Sequence, residues 1–234
     1  QVGDNTAGLA QFGENNIVDK FRQSGFNSAA VFQGGHENLA RNVQTGGTAQ
    51  TGNETGIIQL NGDYSVAGNI ASSEQIEGTD TSFSGTFQAG SANVAITSQK
   101  SSTDARGNIV QIGDNNGATN AQIGVENSSA SIGQFGNINV AINTQDGADR
   151  SAAGILQTGN GNTAANVQDI YTGVGGPISG EDLTANIGQF GNRNAATNAQ
   201  QGARNDAGIL QFGNANTGAN AQVGADLDAD ILQV

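Results

Sequence analysis

Polar and apolar positions alternate along this chain with a period of two. Between Ser128 and Gln134 one parity holds Ser128, Ala130, Ile132 and Gln134, and after a glycine bend the same parity resumes, as in Asn139, Ala141, Asn143 and Gln145. Such alternation predicts two short β-strands of about six residues, each with one face turned inward. Helical spacing does not fit. A 3.6-residue period would scatter Asn116, Ala118, Asn120 and Gln122 around a helix, and each recurring glycine would cost a helix about 1 kcal/mol relative to alanine.

The two-strand unit recurs through the whole chain. The template Gln-x-Gly-x-x-Asn-x-Ala-x-x-x-Gln fits Gln33 to Gln44, Gln88 to Gln99, Gln111 to Gln122, Gln134 to Gln145, Gln157 to Gln168 and Gln189 to Gln200. Gln211 to Gln222 fits with Gly218 in the alanine place, and Gln11 to Arg22 and Gln59 to Ile70 read as degenerate copies. The anchors Gln11, Gln33, Gln59, Gln88, Gln111, Gln134, Gln157, Gln189, Gln211 and Gln233 are mostly 22 or 23 residues apart. Three longer steps predict loop insertions near 46–56, 71–84 and 169–182, the last with the single proline, Pro177.

A unit of this size cannot bury a face alone, so stacking must do it. The expected fold is all-β: one β-solenoid domain over residues 1–234, of about nine and a half two-stranded rungs in parallel, in-register, cross-β stacking. Identical amides then form ladders along the coil, each side chain bonding to its counterpart one rung away. The expected ladders are the anchors other than Gln59, together with Asn93, Asn116, Asn139, Asn162, Asn194 and Asn216, and Gln99, Gln122, Gln145, Gln168, Gln200 and Gln222. Flanking the anchors at the outward parity, Phe12, Phe135, Leu156, Phe190, Leu210 and Phe212 predict an apolar stripe. The outward positions of the second strand (Thr119, Thr197, Thr217, Ala165, Ala219) read as smaller and more polar. Such a stripe marks an interface, expected to be lateral pairing of filaments, or it packs beneath the chain's own insertions.

Composition agrees with a thin core. There are 36 Gly, one Pro and no Cys, Met or Trp, and 12% of residues are charged, which is neither an ordinary globule nor the charge-dense composition of a disordered chain. The net charge of −13 with eight scattered cations argues against a nucleic-acid or anionic-membrane partner. No apolar run approaches the roughly 20 residues that span a bilayer, so an integral membrane protein is not expected. The missing initiator Met suggests a processed mature chain, though a chain cut from a longer one would look the same, so export is open but unseen in the sequence.

The motif Ser-x5-Gln-x-Gly-x2-Asn-x-Ala-x3-Gln resembles the curlin repeat of bacterial curli subunits. Ser128, Gln134, Gly136, Asn139, Ala141 and Gln145 match every element, as do Ser151, Gln157, Gly159, Asn162, Ala164 and Gln168, and again Ser82, Gln88, Gly90, Asn93, Ala95 and Gln99. The resemblance covers nearly the whole chain. It implies a secreted functional amyloid that leaves the cell through an outer-membrane secretion pore and polymerises into cell-surface fibres of a biofilm matrix, with a nucleator as partner. Departures from the family pattern are the larger number of repeats, Asn in place of Ser and the long insertions. They admit a minor, nucleating subunit as an alternative role.

Gln1-Val2-Gly3 resembles the end of a second strand, and Gln233-Val234 follows a first strand. Two half-rungs without polar caps predict head-to-tail stacking into a homopolymer. Catalysis, cofactors and metals are not expected. His36 is the single histidine and reads as a solvated turn residue; Glu74, Glu77 and Asp80 read as loop solubility rather than a glycosidase pair. Asp226, Asp228 and Asp230 fall at outward parity and lack the Gly and Glu of an EF-hand loop. A soluble solenoid adhesin is the competing class; an ice binder would show Thr-x-Thr ladders, which the outward positions do not repeat.

Overall fold

The computed structural model describes residues 3–47, 52–62, 67–169, 171–173, 176–178 and 180–234. These residues form no helix. They wind into a β-solenoid whose rungs alternate between a ten-stranded sheet (sheet one, from Thr6–Glu14 to Asp228–Gln233) and a nine-stranded sheet (sheet two, from Ile17–Gly25 to Thr217–Ala225). All neighbours within both sheets are parallel, and the glutamine anchors stay in register: Gln111 lies on Gln134 and Gln134 on Gln157, and across the coil Gln122 lies on Gln145 and Gln145 on Gln168.

Each rung turns twice, and both turns need left-handed backbone. At the turn leaving sheet one, Gly136 has φ +121°, and a Cβ built there would overlap the Gly159 carbonyl oxygen of the next rung. Only glycine meets both demands. The turn leaving sheet two stacks Asp104, Asn127, Arg150, Asp182, Arg204 and Asp226, all with φ between 49° and 57°. Here the strain of a non-glycine residue is offset by hydrogen bonds between rungs, such as Arg150 N–H to Glu126 C=O at 2.8 Å.

Two expectations about the long steps need correction. Most of the extra residues between Gln59 and Gln88 do not lie in 71–84: Ile70–Thr79 is a strand of sheet two, so they precede Ile70, where 63–66 lie outside the described residues, and the rest sit at the register irregularity between Gln75 and Thr79. Gln59 therefore pairs in its rung with Gln75 and not with Ile70. Likewise Gln11 is followed by Gln23, not Arg22, because a bulge between Val18 and Lys20 absorbs one residue. Of the stretch 46–56, residues 48–51 lie outside the described residues, and the strand Asn53–Asn61 takes up its last part. The step at 169–182 holds a small antiparallel hairpin, Tyr171–Gly173 with Gly176–Ile178, and then Gly180–Glu181 pairs with Ala148–Asp149. Gln1 and Val2 also lie outside the described residues.

Candidate functional site

The inward parity of both sheets is buried except in the terminal rungs, and its chemistry is mostly amide. Gln33, Gln88, Gln111, Gln134, Gln157, Gln189 and Gln211 have no solvent exposure. In sheet one each Nε2 donates to the Oε1 of the next rung without a break from Gln11 to Gln233, as from Gln111 to Gln134 at 2.8 Å and from Gln134 to Gln157 at 2.9 Å. In sheet two a second column runs from Gln23 through Gln44, Gln75, Gln99, Gln122, Gln145, Gln168 and Gln200 to Gln222. The second hydrogen of each buried amide reaches a backbone carbonyl across the coil, as from Gln134 to Gly117 at 3.0 Å. Donors and acceptors that would cost about 1–3 kcal/mol each if buried alone are thereby satisfied.

The asparagines form two further columns that donate the other way, toward lower-numbered rungs. At the turn, Asn116 Nδ2 donates to Asn93 Oδ1, and Asn139 and Asn162 repeat the contact at 3.1 and 3.2 Å. Asn194 and Asn216 continue it through their backbone N–H groups. Inside sheet two, Asn143, Asn166, Asn198 and Asn220 each donate one rung down, at 3.1–3.2 Å. The expected ladders left out Gln23, Gln44, Gln59 and Gln75, and the turn residues Asn16, Asn38 and Asn69 that extend the Asn column.

Between the amides runs a thin apolar core in two pieces. Ile109, Ile132, Ile155, Ile187 and Ile209 pack against Ala95, Ala118, Ala141, Ala164 and Ala196, while Val31, Ile57, Ala40 and Ala71 form a separate cluster. At the break Thr86 takes the aliphatic place, and Ser73 and Thr97 take the place of asparagine. Ser84 Oγ, Thr86 Oγ1, Thr97 Oγ1 and Asn42 Oδ1 are left buried with no hydrogen-bond partner.

On the outer face of sheet one, Phe190 is only partly exposed. Phe12, Phe135, Leu156, Leu210 and Phe212 are exposed, and Phe190 stacks on Phe212 with ring centroids 5.2 Å apart. Sheet two is less polar outside than expected, since Ile96, Ile123, Val140, Ile142 and Val167 are also exposed among its Thr and Ala positions.

The charged candidates are dispersed. The His36 side chain is 13% exposed, with Nε2 3.2 Å from Glu37, so it is not a solvated turn residue. Glu74 pairs with Arg41 at 2.7 Å, and Glu77 with Lys100 at 2.9 Å. Arg150–Asp182 and Arg204–Asp226 make an alternating charge column along one turn edge. The two hydrogen bonds from Arg204, at 2.6 and 2.8 Å, hold the Asp226 carboxyl below its ordinary value of 3.8. Among the described residues, no three His, Cys, Asp or Glu side chains gather where they could hold a metal ion, and no helix is long and apolar enough to cross a membrane. Compared with known proteins, the chain matches no family model and no curated protein.

Proposed function

We propose that this chain is a structural subunit of an extracellular, curli-like amyloid fibre. It is secreted through an outer-membrane pore, stacks head-to-tail by β-pairing with the help of a nucleator, and serves a biofilm matrix and surface adhesion without catalysis. The observation that supports this best is the pair of unbroken glutamine columns. Each rung offers the next the same donors, acceptors and strand register, so a rung from a second copy meets the chemistry of a rung from the same chain. The curlin-like motif points the same way.

The test is electron cryo-microscopy of the incubated 234-residue chain. A filament with rungs about 4.8 Å apart and a subunit rise of about nine to ten rungs is the expected result. Discrete monomers after prolonged incubation overturn it and favour the soluble adhesin. Acceleration of another curlin's assembly by sub-stoichiometric amounts would assign the nucleating role.

A further inference from the structure

The two outer faces of the coil differ in charge and relief. On sheet one, three outward columns lie three residues before, one before and one after the anchor glutamines. Of the chain's 21 acidic and eight basic residues, these columns hold only Asp230. The matching columns of sheet two carry Lys20, Arg22, Arg41, Lys100 and Asp146, among others. Six of the nine phenylalanines lie in these three columns of sheet one, whose rim, the column five before the anchors, carries Glu54, Arg106, Asp206 and Asp228. A molecule of net charge −13 repels its own copies over most of its surface, and this neutral strip is where a copy can approach without facing like charge.

The relief of the strip also suits a copy of itself. The column after the anchors is a ridge, with Phe12, Leu60, Phe135 and Phe212 standing out from it. The column three before them is lower: it is open at Gly8 and Gly56, while the polar side chains of Asn186 and Asp230 lean over Gly154 and Gly208. Gly188 and Gly208 line a groove of about 390 Å³ beside Leu210 and Leu232. Turning a second copy by 180° about an axis parallel to the coil reverses its strands. Each ridge then lies opposite the other copy's lower column, with Leu156 and Leu210 on the central line. A two-fold axis along the strands would instead set ridge on ridge.

We propose that sheet one docks a second copy of this chain, face to face about a two-fold axis parallel to the coil, so that paired coils run in the same direction. Ten strands about 4.8 Å apart and a strip about 13 Å wide give about 600 Å² per copy, or about 1,200 Å² in all, the size at which specific interfaces begin. The pairing concerns the side of the coil and does not depend on end-to-end stacking.

The experiment is electron cryo-microscopy of incubated chain together with sedimentation of freshly refolded chain. Wild type is expected to give two-coil objects joined through sheet one and running parallel. Leu156→Lys with Leu210→Lys sets like charges on the central line and is expected to lower the paired fraction at least tenfold. Ile142→Lys with Val167→Lys, on sheet two, is expected to leave pairing intact. If the first variant loses its β circular dichroism, Leu156→Thr with Leu210→Thr replaces it, with the same direction expected. Single-width filaments, pairing through sheet two, or antiparallel pairs each overturn the proposal. Single-width filaments leave head-to-tail stacking standing, whereas discrete two-coil particles without filaments support the pairing and overturn the stacking.

Discussion

Gln134 accepts from Gln111 and donates to Gln157 and to the Gly117 carbonyl. Gln134→Leu keeps the bulk and strands three buried polar groups, so it should lower stability by about 3 kcal/mol, read from the urea midpoint. The glycine bends are equally exacting. Gly136→Ala adds a Cβ that overlaps the next rung's carbonyl at φ +121° and should cost about 2 kcal/mol or more in the same measurement. At the exposed edge the electrostatics are gentler. The hydrogen bonds from Arg204 depress the Asp226 carboxyl, so their contribution is present above pH 3.8 and fades as pH falls through the lower folded value. An NMR titration of Asp226 should show a midpoint below 3.8, and Arg204→Gln should return it toward that value.

The strands of the break, Phe83–Ala89 and Val94–Lys100, bury three unpaired hydroxyls: Thr86 between Ile57 and Ile109, Thr97 beside Asn120, and Ser84 between Thr55 and Gly107. Thr86→Val removes one of them at constant shape and should stabilise the coil by about 1 kcal/mol. Native-state hydrogen exchange should show these two strands opening at lower free energy than Ser129–Phe135. The sequence made most elements legible because inward parity repeats the same residue types, so the anchors of sheet one and the columns from Gln99 and Asn93 onward could be read directly. The early rungs of sheet two could not. Ile70–Thr79 carries Ser72, Ser73, Glu74 and Glu77, which read as loop chemistry, yet parallel neighbours on both sides supply its backbone partners whatever its composition. The bulge at Val18–Lys20 shifted parity by one and hid Gln23. The apolar outside of sheet two escaped notice because Ile96, Ile123 and Val140 occupy different columns and form no single line.

Over the whole molecule the net charge of −13 opposes any contact between copies at low salt. Raising ionic strength from about 0.01 M to 0.15 M shortens the screening length from about 30 Å to about 8 Å, so the lag before assembly should shorten, followed by light scattering; a longer lag would contradict the neutral strip as the contact. Charge placement and core placement thus divide the labour, with acids at turns and rims and amides within. Those amides carry one more consequence. Every glutamine column donates toward higher-numbered rungs, and both asparagine columns donate toward lower-numbered ones. Their carboxamide dipoles therefore oppose each other along the axis, and the coil can lengthen without building the end-to-end field that an α-helix accumulates. Two rung edges mated in the same sense complete both sets of bonds; turned head to head, they would set glutamine hydrogens against glutamine hydrogens and asparagine oxygens against oxygens, so in the proposed fibre the side-chain amides would set the polarity of growth.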